Sequence, residues 1–136
     1  MADYAKPLPT VTDEVEPFWS STKQHKLSMP QCQDCDEVIW PISPVCPACL
    51  GNNLDWVELS GRGVLWSWVN FHQAFHPEWA KEAPYNVAHV RLDEGPLFLT
   101  NMVEVEDENL AVGMAVEVTF DEATDEISIP KFRPAG

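Results

Sequence analysis

The apolar residues of this chain fall into short runs, each closed off by proline, glycine or a cluster of acids. Residues 1–12, with Pro7 and Pro9, show no apolar period and read as an extended or mobile arm. From Asp13 the pattern becomes helical. Asp13 and Glu16 have the spacing of a capping box, Pro17 suits a first turn, and Val15, Phe18, Trp19 and Thr22 share one side of a short helix reaching about His25. Residues 28–60 are crowded with cysteine and proline, and Gly61-Arg62-Gly63 then opens a different texture. Val64–Phe71 is β-branched and aromatic enough for a long strand. Residues 73–84 read as a loop with one helical turn near Pro77–Ala80. Tyr85–Leu92 alternates, with Asn86, Ala88, Val90 and Leu92 on one side and Tyr85, Val87, His89 and Arg91 on the other. Further strands are predicted at Leu97–Val105, Ala115–Phe120 and Ile127–Phe132, separated by Asp93-Glu94-Gly95, Asp107-Glu108-Asn109 and an acidic turn over 121–126.

Five antiparallel-looking strands in about 75 residues are best hidden by closure, which removes the sheet edges. The fold class expected is mostly β: an N-terminal arm and short helix over 1–27, a rubredoxin-like zinc ribbon over 28–60, and a five-stranded OB-type barrel over 61–136. Trp66 and Trp68, separated by Ser67, are expected in the core.

Composition narrows the function classes. The 136 residues carry 22 acids and 8 bases, a formal charge of −14 at pH 7. Nucleic-acid binding needs Lys and Arg to displace counterions from phosphate, and no base lies between Lys26 and Arg62. An anionic membrane face is disfavoured for the same reason. No apolar run approaches the ~20 residues of a membrane span, and the first residues lack the layout of a secretory signal, so a cytoplasmic protein is expected.

The strongest chemical signal is Cys32-Gln-Asp-Cys35 followed by Cys46-Pro-Ala-Cys49, the only cysteines in the chain. Two residues between cysteines let one tight turn aim both sulfurs at one ion, and two such turns complete a tetrahedral shell. Redox dithiols normally occur once, beside a βαβ unit, and disulfides need an oxidising compartment. A Zn(2+) ion held by all four thiolates has no open position for substrate, so it is a structural staple; iron takes the same shell. His25 is superfluous to it.

Catalytic provision is thin. No serine lies in a nucleophile-elbow sequence, His72 and His76 read as a loop pair, and Asp93-Glu94 is more simply a turn. No catalytic residue is assigned. Lys131 and Arg133, with Arg62 or Arg91, could serve one multiply charged ligand; the plainer reading of each is a solvated charge balancing nearby acids.

The order of features resembles a known family. An aromatic helix leads into the Cys-x-x-Cys…Cys-Pro-x-Cys ribbon and then Ser60-Gly61-Arg62-Gly63. An aromatic strand, Pro84-Tyr85, Val90-Arg91-Leu92-Asp93-Glu94-Gly95, Val112-Gly113-Met114 and Phe132-Arg133-Pro134 follow. Over about residues 13–134 this is similar to the zinc-ribbon OB-fold proteins associated with acyl-CoA enzymes, found beside thiolases, their lipid-transfer-protein-like relatives and some enoyl-CoA hydratases. One departure is Asp36, where members usually have Gly after the second cysteine; Asp tolerates a positive φ better than most residues. The resemblance implies an accessory, non-catalytic subunit of a thiolase-like or hydratase-like partner. The partner supplies the nucleophile or base for thiolysis or retro-aldol cleavage, and a CoA thioester is the shared ligand. Tyr85 and the aromatic strand would line the pantetheine channel, with Lys131, Arg133 and Arg62 towards the CoA phosphates. The alternative class is a stand-alone module binding nucleic acid or protein.

Overall fold

The computed structural model describes residues 4–136; the first three residues of the expected arm lie outside the described residues. Residues 4–12 form no helix or strand, and the chain bends at Lys6. Helix α1 (Glu16–Lys23) is shorter than predicted, and Asp13 does not cap it. Instead the Thr12 carbonyl accepts from the Val15 and Glu16 amides, so a backbone turn replaces the side-chain cap. Pro17 does occupy the first turn, and Phe18 and Thr22 face inwards as predicted.

The ribbon begins with β1 (Ser28–Cys32), antiparallel to β2 (Leu54–Glu58), with Cys32 opposite Leu54. The strand character of 54–58 was not read from sequence; Asp55 and Glu58 interrupt its apolar residues, which are only partly buried. Between them Val38 bridges to Gln31 and the Ile39 amide donates to the Pro30 carbonyl, so the Val38–Trp40 segment lies along β1.

The remaining strands are β3 (Arg62–Phe71), β4 (Tyr85–Leu92), β5 (Leu97–Thr100), β6 (Ala115–Glu122) and β7 (Ser128–Pro134), with α2 (Pro77–Ala80) in the β3–β4 loop and a 3-10 turn at Asp107–Asn109. They form one antiparallel sheet in the order β5-β4-β3-β6-β7. The sheet curls until its ends meet in parallel: Met102 bridges Phe132, whose amide donates to the Asn101 carbonyl and whose carbonyl accepts from Val103. This is the five-stranded OB arrangement expected. The strand predicted to reach Val105 stops at Thr100, because Asn86 takes over its end; Asn86 Nδ2 donates to the Met102 carbonyl and Asn86 Oδ1 accepts from the Met102 amide. Gly63 sits where β3 and β4 pack so closely that a Cβ would lie 2.4 Å from the Arg91 carbonyl oxygen.

The alternation of β4 is as predicted, with Ala88, Val90 and Leu92 buried. Trp66 is not in the core: it is 51% exposed. The β3–β4 register shifts between Leu65 and Ser67, and the extra residue of this bulge points Trp66 outwards, while Trp68 packs against the core. The main core gathers Phe18 from α1, Leu27 and Met29 from the start of the ribbon, and Leu65, Val90, Phe98, Val116 and Phe132 from the barrel. Cys32, Ile39 and Cys46 form a separate small cluster with Leu54 against it.

Candidate functional site

The two cysteine turns have the same backbone construction. In each, the first cysteine's amide donates to the carbonyl five residues on, Cys32 to Glu37 and Cys46 to Gly51, both at 2.8 Å. The residue four on returns a bond to the first cysteine's carbonyl, Asp36 to Cys32 and Leu50 to Cys46. That residue has a positive φ in both turns, 67° at Asp36 and 66° at Leu50. Asp36 therefore occupies the left-handed position at which the resemblance led one to expect glycine. Leu50 is the strained counterpart, since a bulky residue without a short polar side chain gains nothing there.

This folding brings Cys32, Cys35, Cys46 and Cys49 together with all four sulfurs within 4.8 Å of one another. Among the described residues no other group of His, Cys, Asp or Glu is placed to hold a metal ion. Cys32 Sγ lies 3.6 Å from Cys49 Sγ, and Cys35 Sγ lies 3.6 Å from Cys46 Sγ. A tetrahedron with Zn–S bonds near ~2.3 Å has edges of about 3.8 Å, so four thiolates gathered at this spacing fit a zinc ion. Backbone amides support the charge that four thiolates bring. The Cys49 amide leads, against desolvation, in bringing the Cys46 thiol down to about 7, with the Ala48 amide and the Cys35 thiol adding to it. At Cys35 the Glu37 amide pulls downwards, but the hydrogen bond with Cys46, desolvation and the other two sulfurs together push the thiol up to about 12. Sulfurs that resist ionising together as protonated neighbours are neutralised by one divalent cation. With four thiolates the shell is closed, so the ion's contribution would be to tie the turn that ends β1 to the Cys46–Cys49 turn that precedes β2.

The four residues expected at a CoA ligand are divided between two places. Tyr85 and Lys131 line one cavity of about 240 Å³ with Trp79, Glu82, Asn101 and Met102. The Lys131 side chain is 12% exposed, and its Nζ is 3.6 Å from Asp121. Arg62 and Arg133 instead share Glu117 on β6, at 3.9 Å and 3.1 Å, and Arg133 also reaches Glu104 at 3.3 Å. Those bonds hold the Arg133 guanidinium above its ordinary pKa, Glu117 contributing most.

Sequence reasoning missed one feature of this cavity. Lys6, from the arm, donates to Glu82 at 2.6 Å and stands 4.5 Å over the Trp79 ring, which packs 4.8 Å from Tyr85. Every other hydrogen bond or ion pair of residues 72–84 outside β4 is internal to that loop, so among the described residues Lys6 alone ties it by polar contact to a distant part of the chain. A lone lysine in an arm with no periodicity carries no signal of such a role. Of the loop pair, His76 caps α2, its Nδ1 accepting from the Glu78 amide.

Comparison with known proteins bears on the whole arrangement. Residues 19–55 match the rubredoxin-like zinc ribbon domain of ChsH2, and residues 56–121 match the C-terminal OB-fold domain of ChsH2. A DUF35 domain-containing scaffold protein of Pyrococcus furiosus is 31% identical over 131 residues, which cover 89% of this chain and 93% of the relative. The chain belongs to the DUF35 family. A second relative, a probable enoyl-CoA hydratase alpha subunit of Thermomonospora curvata, is 35% identical over 130 residues. That match covers 96% of this DUF35 chain but only 40% of the relative, so this chain spans about two-fifths of that protein's length. Among solved structures, a chain of an Ltp2-ChsH2(DUF35) aldolase superimposes with a TM-score of 0.83 at 34% identity, covering 95% of this chain and 100% of that one. A DUF35 protein of unknown function from Sulfolobus solfataricus, at a TM-score of 0.62 and 19% identity, shares the fold. No helix among the described residues is long and apolar enough to cross a membrane.

Proposed function

We propose that this DUF35 chain is a non-catalytic accessory subunit of an acyl-CoA enzyme complex of the thiolase superfamily, working in the cytoplasm, where its thiols stay reduced for the metal. The observation that carries the reading is the end-to-end likeness to the DUF35 chain of an Ltp2-ChsH2 aldolase. The closed four-sulfur shell supports it from this chain's own residues, because a metal with no open position can brace a surface but cannot polarise a carbonyl. In this reading the partner contributes the nucleophile or base for thiolysis or retro-aldol cleavage, and this chain helps to hold the CoA thioester.

Lys131 and Tyr85 are the better placed of the four candidate CoA contacts, since they face one cavity and Lys131 has a single, long ion pair. Arg62 and Arg133 would have to exchange Glu117 for a phosphate, a trade of one charge-assisted bond for another. The stand-alone nucleic-acid module finds no favouring observation. Of the five bases in residues 61–136, Arg62, Lys81, Lys131 and Arg133 are already paired with acids.

The test is reconstitution with the acyl-CoA enzyme that co-purifies with the tagged chain. Co-elution and cleavage activity that depends on adding this chain are expected. A partner fully active alone, or no stable complex, overturns the reading. Within a working complex, Lys131→Ala should weaken CoA binding in a calorimetric titration; unchanged affinity removes Lys131 from the CoA site.

A further inference from the structure

The two outer faces of the barrel are built from different residues. On β6–β7 the outward cross-strand pairs are Glu117 with Arg133, Thr119 with Lys131 and Asp121 with Ile129, a face laced with ion pairs and at ease in water. On β3–β4–β5 the outward positions are Val64, Trp66, Ser67, Val69 and Phe71, then Tyr85, Val87, His89 and Arg91, then Leu97 and Leu99. None of these eleven is an acid, in a chain with 22 acids among 136 residues. Val69, three residues along β3 from the bulged Trp66, is 55% exposed, and Leu99, in the cross-strand row that runs through His89 to Ser67, is 60% exposed. Val112 stands exposed in the turn whose Gly113 amide donates to the Leu65 carbonyl, and so extends the patch beside Trp66.

A bulge that turns a tryptophan out of a core costs burial of one of the largest apolar side chains. Here the exposed ring is covered on one side by the Arg91 guanidinium, 4.7 Å from its centre, and Arg91 is itself braced by donating to the Gly95 carbonyl at 2.7 Å. Tryptophan and arginine, pre-positioned on rigid strands in an acid-free apolar field, have the composition of the centre of a protein interface, with charge relegated to the rim. The rim is present: Asp93 and Glu94 close the β4–β5 turn beside Arg91.

We infer that the outward face of β3–β4–β5 is where this chain docks on its acyl-CoA enzyme, against an apolar patch of that enzyme with a carboxylate opposite Arg91 and basic residues around it. The inference rests on the accessory-subunit reading and adds the surface to it. Charge decides the occupant. A second copy would bring together two bodies of −14 each and set Asp93 and Glu94 of both chains along the seam; long-range repulsion opposes that encounter, whereas a partner with basic flanks is drawn in. An anionic membrane is excluded by the same charge.

The experiment uses Val69→Glu/Leu99→Glu in the full chain, with Val45→Glu in the ribbon as control, and recombinant co-purifying enzyme as the probe. Val69, Leu99 and Val45 are all exposed and outside the core, so zinc content and circular dichroism should match the wild type and confirm folding. The double variant should bind the enzyme at least about tenfold more weakly, the effect of losing hot-spot contacts. Arg91→Glu should do likewise, and Val45→Glu should bind as wild type. If the wild-type chain forms no complex, the accessory-subunit reading fails. If the wild type binds and the double variant binds equally well, that reading stands and the docking face is overturned. A concentration-dependent dimer of the wild-type chain that Leu99→Glu abolishes would assign the face to self-association instead.

Discussion

Removing the metal should melt the ribbon and leave the barrel folded. The segment between β1 and β2 holds about twenty residues; its fully buried side chains are Ile39 and the ligand Cys46, which cluster with Cys32 at the end of β1, while Val38, Trp40 and Ile42 pack half-buried against the main core. Ordering those residues costs about 16 kcal/mol even at ~0.8 kcal/mol each, the low end for backbone entropy. Burial of Ile39 and the partial burial of Val38, Trp40 and Ile42 contribute about 6 kcal/mol together, and a structural zinc about 10–16 kcal/mol. The terms nearly cancel with zinc present and leave a deficit of at least about 10 kcal/mol without it. The barrel is differently placed, because Phe98, Val90, Val116 and Phe132 pack with one another and with Phe18 and Met29, none of which contacts the metal through a ligand atom. Hydrogen exchange read residue by residue, before and after a strong chelator, tests this. Amides of residues 33–53 should lose protection while those of β3, β4, β6 and β7 keep it. Loss of barrel protection at the same chelator concentration would refute the separation of the two clusters. Retained protection in 33–53 would refute the claim that the metal holds the ribbon.

Three further outcomes are expected. Phe132→Ala removes the largest fully buried side chain at the point of barrel closure, and should cost about 3–5 kcal/mol in urea unfolding; a loss below about 1 kcal/mol would mean the closure is not packed as described. Leu50 is 77% exposed and held at φ 66°, so Leu50→Gly relieves about 1–2 kcal/mol of left-handed strain against about 0.5–1 kcal/mol of added chain entropy. The glycine variant should bind zinc up to about tenfold more tightly, and Leu50→Ala should not. Lys6→Met should speed amide exchange across 72–84 by about fivefold, the loss of roughly 1 kcal/mol of cation–π attraction, with global stability almost unchanged. The same latch has a pH signature. Burial lowers the Lys6 pKa, but the hydrogen bond and charge of Glu82 raise it further, to a net value above 10.5. A raised lysine pKa stabilises fully below the unfolded value, so loop protection should hold at neutral pH and fall as pH rises through the higher folded value. Protection independent of pH up to 12 would remove Lys6 from the latch.

Much of this molecule was legible because local rules and global fold agree. The cysteine spacing specifies the metal shell by turn geometry alone, so four positions in the text became four sulfurs within 4.8 Å. The period-two alternation of residues 85–92 assigned Ala88, Val90 and Leu92 to the interior, and the punctuated runs announced five strands short enough to close. Asp36 was readable as a left-handed position because the proteins this chain resembles usually have Gly there, and Asp is among the few other residues that tolerate one.

What only the tertiary structure decided involves residues whose partners are far away in sequence. Trp66 faces solvent because a single-residue bulge, invisible in an apolar run, shifts the register against β4. The end of β5 depends on Asn86, and the place of Lys6 on Glu82, 76 residues away. Arg62 and Arg133 are drawn together by Glu117, while Lys131 is turned to a cavity with Tyr85. Spacing and period carry information over one turn of chain, where covalent geometry fixes neighbours. Which charges pair, and which apolar face is left without a neighbour, depends on how the sheet closes, and closure is a property of all five strands at once.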